Sequence, residues 1–283
     1  MVTTRQSPTV RRRRLGLELR RLREAAGVTI DVVADRLECS ASKISRVETG
    51  HTGATPRDVR DMLAVYGVDG SQAEDLMQVA REARQKGWWH LYGTVLTSAY
   101  VGLEAAASEI HAYEGQVVPG LLQVDEYART LILKGRPEIG ATELDRRVHV
   151  RMARQSLVTQ DDPLRLWVVL DEAVFHRLVG GAAVMRRQLD HLVTITGLPN
   201  VILQVLPFAV GAHAGMDGSF AILGYEEPVD PDVVFAANAA GGLFLEKDEE
   251  LRRYHLIFDH LRANALPPDE SVAFLARRAK ELE

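Results

Sequence analysis

In the N-terminal part of this chain, only three residues, Glu38-Cys39-Ser40, separate one helical pattern from the next. So short a connection leaves two helices one way to meet, at a steep angle. Ala34 is small enough to let them approach at the crossing. Ile44 and Val47, branched and apolar, anchor the back of the second helix. That arrangement is helix-turn-helix geometry. The flanking sequence agrees with it. Leu15, Leu19 and Leu22 fall on one helical face. Gly27 is a stop signal, and Thr29 is an N-cap with Asp31 in the first turn behind it. Ser40 caps the next helix, and Thr55-Pro56 starts a fourth that carries Val59, Met62, Leu63 and Tyr66 and ends at Gly67. Ser71-Gln72-Ala73-Glu74 reads as the capping box of a fifth. The expectation is an all-α, five-helix domain over residues 15–86, behind a basic flexible arm at 1–14.

Charge supports a separate role for this region. The 283-residue chain has a formal net charge of -5. Residues 1–86 nevertheless carry 16 Lys and Arg against 12 Asp and Glu, and residues 87–283 carry 18 against 27. A basic end on an acidic chain points to a local polyanion-binding module; uneven surface charge alone is the plainer reading. Cys39 is the single cysteine, which excludes an internal disulfide framework and a Cys-cluster zinc site. No apolar run reaches the roughly 18 residues of a membrane helix, and no apolar stretch follows Arg11-Arg12-Arg13-Arg14 as a secretory signal requires. A cytoplasmic, nucleoid-associated protein without a membrane partner is expected.

The segments Leu19-Arg20-Arg21-Leu22-Arg23, Thr29 to Ala34 and Ser40 to Gly50 resemble the XRE-type (Cro/repressor-like) DNA-binding domain. In such a fold the N-terminal end of the third helix faces base edges. Here that end supplies Ala41, Ser42, Lys43 and Arg46. The Arg46 fork matches guanine O6 and N7. Lys43 can read a base or hold a phosphate, while Ser40 and Ser45 suit capping or phosphate contact. Arg13 and Arg14, in the arm, can lie along phosphates or in the minor groove; a plain tail is the alternative. The resemblance also implies an ion pair between Arg23 and Glu48. Two positions depart from the family pattern. Glu38 stands where a turn glycine is usual, so a left-handed backbone there costs about 1 kcal/mol. Ile30 replaces a glutamine that usually touches phosphate.

Gly87-Trp88-Trp89-His90 breaks the helical pattern, and a linker is placed at 87–98. Residues 99–283 alternate strand-like and helix-like segments, which predicts a larger α+β domain with helices covering a sheet. Helices are expected near 100–108, from Asp125, from a Thr142 cap, over 183–196, from an Asp248 cap and over 269–282. Strands are expected at 164–170, 201–206, 220–223, 233–235 and 243–245. Arg147, Arg151 and Arg154 share one helical face, either a solvated stripe or a surface for DNA or an acidic partner.

Chemistry is sparse. His255 and His260 are spaced wrongly for a metal pair on one helix. The chain has no nucleophile elbow, Walker loop or dinucleotide fingerprint. No catalytic residue, metal or cofactor is expected. The long connection from Pro207 to Ser219 is the unusual stretch, either a structural hairpin or a binding loop. Phe208, His213, Met216 and Asp217 are its candidates for contacting a ligand or partner. Tyr113 to Gln123, Arg165 to Glu172 and Leu206 to Gly218 resemble the C-terminal domain of WhiJ-like, antitoxin-like actinobacterial regulators. The resemblance implies a transcriptional regulator whose second domain receives a signal. Its partners would be a double-stranded DNA operator, a second copy of the chain, and a small partner protein encoded nearby or a small-molecule effector. Two alternatives stand. One is a protein-interaction module that has lost DNA binding. The other is a DNA-tethered enzyme, for which Asp171, Glu172 and His213 would have to converge.

Overall fold

The computed structural model describes residues 8–84, 99–227, 230–238 and 242–283. The Trp88-Trp89 pair and the 87–98 linker lie outside these residues. The chain divides into two compact units.

The first unit is helical: α1 (Pro8–Ala25), α2 (Ile30–Arg36), α3 (Ala41–Glu48), α4 (Pro56–Tyr66) and α5 (Gly70–Glu82). The expected caps account for most of these boundaries. Thr29 accepts from Val32 N, Ser40 from Lys43 N, and Thr55 forms a reciprocal box with Asp58. Gly27 and Gly67 take the left-handed conformation that ends α1 and α4. Leu15, Leu19, Val33, Ile44, Val59 and Met62 are buried together and form the core. α6 (Ala99–Glu104) packs on α1 and groups with this unit, whereas the sequence boundary at 99 assigns it to the second.

Two expectations are corrected here. The arm at 1–14 is, from Pro8 onward, the first two turns of α1. Arg13 is buried, and Arg12 Nε donates to Gly50 O at 2.9 Å, so this basic run pins the loop after α3. The box at Ser71 does not form either. α5 begins at Gly70, whose φ of 65° only glycine adopts freely, and Asp69 precedes it without a side-chain cap.

The second unit is the expected α+β domain. Its strands are β1 (Glu109–Glu114), β2 (Arg165–Asp171), β3 (Val201–Leu206), β4 (Phe220–Gly224), β5 (Val233–Ala236) and β6 (Leu243–Leu245). They form one sheet in the order β3-β2-β1-β4-β5-β6. β1, β2 and β3 run parallel, and β4 pairs antiparallel with β1. Parallel neighbours need helical crossovers. α7 (Asp125–Gly135), α8 (Ala141–Arg154) and α9 (Ser156–Thr159) link β1 to β2; α10 (Ala173–His176) and α11 (Ala182–Ile195) link β2 to β3. Val168, Val169 and Leu170 are buried in succession, as in a strand covered on both faces. One face packs under α12 (Asp248–Asn264), where Phe258 and Leu261 meet Val169, Phe220 and Ile222. α13 (Pro268–Lys280) packs against β3 and α11. The first residues of α8 and α12 differ slightly from expectation: Gly140 and Lys247, not Thr142 and Asp248, hold the cap positions.

The hairpin reading of 207–219 is overturned. β3 and β4 are not neighbours. The connection leaves β3 and passes the ends of β2 and β1 before entering β4.

Candidate nucleic-acid interface

α3 carries the residues expected to meet DNA. Ile44 and Val47 are buried against the core, and Ala41 packs partly against it as well. Ser42 and Arg46, one turn apart, are therefore left on the outward face, and both are exposed. Among the described residues the Arg46 guanidinium has no hydrogen-bond partner, which leaves its fork available. Ser40 is the N-cap, its hydroxyl accepting from Lys43 N at 3.2 Å. Ser45 is half-buried, and its carbonyl accepts from the Thr49 hydroxyl at 2.8 Å. Lys43 is not free: its Nζ donates to Asp58 Oδ1 at 2.9 Å. This pairing raises the Lys43 pKa from its ordinary value.

The turn before α3 has a defined form. Cys39 N donates to Ala34 O at 2.9 Å and Glu38 N to Asp35 O at 3.2 Å, the two bonds of a Schellman end. That motif requires a left-handed residue at Glu38, whose φ is 50°. It is the one non-glycine residue with positive φ among the described residues. Ile30 packs partly against the core, so it offers no polar contact in place of the missing glutamine.

α3 is held from behind by α1. Arg23 and Glu48 form a buried bidentate pair, and Arg23 Nη1 also donates to Val28 O at 3.0 Å. A Cβ on Gly16 would sit 2.5 Å from Val47 O and 2.7 Å from Glu48 O, so only glycine lets the two helices approach this closely. Of the two basic residues expected to reach DNA from the arm, Arg14 is exposed on α1 and Arg13 is buried.

In the second unit, the 207–219 connection runs along the carboxyl ends of the strands, at the point where strand order reverses between β1 and β4. Open α/β sheets commonly hold ligands there. Here the loop itself occupies the place. His213 Nε2 lies 3.4 Å from Asp171 Oδ2, and its Nδ1 accepts from Gly215 N at 3.2 Å. Glu172 Oε2 accepts from Phe208 N at 2.8 Å. Gly215 rests on the Tyr113 ring, where a Cβ would come within 2.5 Å. Glu114, at the end of β1, is pushed up to about 7 by burial, against the opposing effect of its hydrogen bond with Ser219. The four loop candidates are not brought together. His213 points inward, Phe208 and Met216 are 57% and 70% exposed, and Asp217 lines a separate hollow beside Ser219 and Tyr254. Of the three residues an enzyme would need together, Asp171 meets His213, whereas Glu172 bonds Phe208 N and His176 instead.

A family described as a domain of unknown function (DUF5753) matches residues 97–277. The chain belongs to this family. A second match, to a helix-turn-helix domain, covers residues 14–76 of this DUF5753 protein. Its first unit is thus a DNA-binding domain of the kind found in transcription regulators. No curated protein and no solved structure matches the chain. Among the described residues, no helix is long and apolar enough to cross a membrane, and no group of three metal-ligating side chains assembles.

Sequence reasoning about this DUF5753 protein missed Asp58, which both caps α4 and holds Lys43. The Thr55-Pro56 start signal could have found the cap; nothing local signals the Lys43 contact. It also missed Arg57, 89% exposed in the same first turn of α4. The Lys43–Asp58 contact brings that turn beside α3, so Arg57 joins the candidates for phosphate contact.

Proposed function

We propose that this chain is a sequence-specific transcriptional regulator that binds a double-stranded operator as a homodimer. The observation that carries the reading is the exposed Ser42–Arg46 face of α3, capped by Ser40 and anchored by buried Ile44 and Val47. One module of this size makes few base contacts, and two half-sites supply operator-length specificity. The second unit receives the signal, from a small partner protein encoded nearby or a small-molecule effector, as the likeness to WhiJ-like, antitoxin-like XRE regulators implies. The protein acts in the cytoplasm, on the nucleoid. The role is binding rather than catalysis. In support of that, the acids and histidine at the strand ends are engaged in structural contacts with the loop and with α10: Asp171 with His213 and Ala173 N, Glu172 with Phe208 N and His176.

The test is a salt-series mobility shift of the full chain on its own upstream DNA, with an unrelated duplex of equal length alongside. Selective retention that survives rising salt is expected. Arg46→Ala should cost about 1–3 kcal/mol of operator affinity and relax selectivity. Equal retention of both duplexes, lost steeply with salt, sinks the reading.

One observation favours a second reading, an interaction module that has lost DNA binding. Lys43 is already neutralised by Asp58. A complex with a protein partner and no DNA retention at any salt is its signature.

A further inference from the structure

Between α7 and α8 lies a hollow of about 300 Å³, the lower end of the range for small-molecule sites. Its lining combines two chemistries. Arg147, Arg151 and Arg154 come from one face of α8, and Arg136 from the residue after α7. Leu131, Ile132 and Val150 supply an apolar wall. Among the described residues that line it, none is acidic.

The three arginines of α8 are positioned by their neighbours, and Arg136 is exposed. Arg147 Nε donates to Glu143 Oε1 at 2.8 Å, and Arg151 Nη1 donates to Gln123 Oε1 at 3.0 Å. Arg154 and Arg151 lie over Gly120, where a Cβ would meet Arg154 Nη2 at 3.6 Å and Arg151 Nε at 3.8 Å. Gln123 is buried, and its amide nitrogen donates to Val118 O at 2.6 Å, so the group that orients Arg151 is itself fixed. Arg136, Arg147, Arg151 and Arg154 thus line one hollow, with Glu143 accepting from Arg147 and Gln123 from Arg151. Guanidinium forks match the paired oxygens of phosphate and carboxylate groups.

We propose that this arginine-lined hollow binds a small organic dianion, with acidic oxygens at the arginine end and an apolar body against Leu131, Ile132 and Val150. The proposal rests on the reading of the second unit as a receiver of signals, and it names the class of effector. Phosphate monoesters and dicarboxylates share this chemistry.

The experiment is isothermal titration of the full chain, without DNA, using phenyl phosphate, benzylsuccinate and inorganic phosphate as probes. Saturable binding of either organic dianion is expected, and the pair shows whether phosphate or carboxylate is preferred. Arg136→Ala or Arg147→Gln, checked for folding by circular dichroism, should weaken it about tenfold. Arg186→Ala, on the surface of α11, should leave it unchanged. Inorganic phosphate should bind more weakly than phenyl phosphate. The proposal is overturned by no binding of either organic probe, by unchanged binding in both pocket variants, or by inorganic phosphate binding as tightly as phenyl phosphate. Because DNA is absent, failure here leaves operator retention to be judged separately.

Discussion

Arg23 of α1 meets Glu48 of α3 through two parallel hydrogen bonds, Nε to Oε1 at 2.6 Å and Nη2 to Oε2 at 2.9 Å, with both side chains almost wholly out of water. The pair ties the reading helix to the longest helix of its unit. Burial makes such a pair asymmetric: losing one partner strands a charge, while replacing both does not. Arg23→Met should therefore destabilise the chain by about 3–5 kcal/mol. Adding Glu48→Leu should recover most of that loss. Urea unfolding of the two single variants and the double variant measures the cycle.

Glu38 sits at φ 50° in the turn that aims α3. A side chain in this conformation costs about 1–2 kcal/mol. Glu38→Gly should raise stability by about 1 kcal/mol, allowing for the greater chain freedom of glycine when unfolded. A higher denaturant midpoint with an unchanged slope is the expected result.

Glu114 is raised to about 7 in the fold by burial, against an unfolded value of about 4.3. The folded chain thus holds a proton that the unfolded chain has released between these values. Stability is penalised as pH rises through that window, and the penalty is complete above about pH 7. Glu114→Gln removes the ionisation. Its stability advantage over the parent should be small near pH 4, should grow towards pH 7, and should reach about 4 kcal/mol at its plateau. Unfolding free energies at a series of pH values test the sign.

Gln188 is fully buried in α11, where its amide donates to Leu122 O at 2.6 Å and accepts from Val124 N at 2.8 Å. These bonds anchor the segment before α7. Gln188→Leu leaves both backbone groups unsatisfied and should cost about 2–4 kcal/mol. Chemical denaturation checks the loss.

What could be read from the sequence follows the range of the forces involved. Thr29, Ser40 and Thr55 act on backbone groups three residues away, so the helix starts of the first unit were legible. The strand segments β3 and β6 were legible too, because an apolar run bounded by turn residues is a local signal. The Ser71 box failed because Gly70 could enter the helix first. Arg13 misled because a run of four arginines looks like an arm, although helical spacing turns one of them inward. The Lys43–Asp58 contact and the passage of the 207–219 loop across the sheet depend on chain segments far apart in sequence, and nothing local encodes them. The arginine stripe on α8 was visible; the hollow it lines with α7 was not.

The position of β1 has a consequence for how the chain acquires its shape during synthesis. β1 is made first among the strands but lies in the middle of the sheet, where Glu109 faces Arg165 on one side and Gly224 on the other. Its second neighbour emerges only after both helical crossovers and the long loop have been made. The helical unit, built from neighbouring segments, can settle while that strand still waits. A ribosome paused between Leu206 and Phe220 therefore carries a finished DNA-binding head on an unfinished sheet, with one flank of β1 open to whatever else can pair with it.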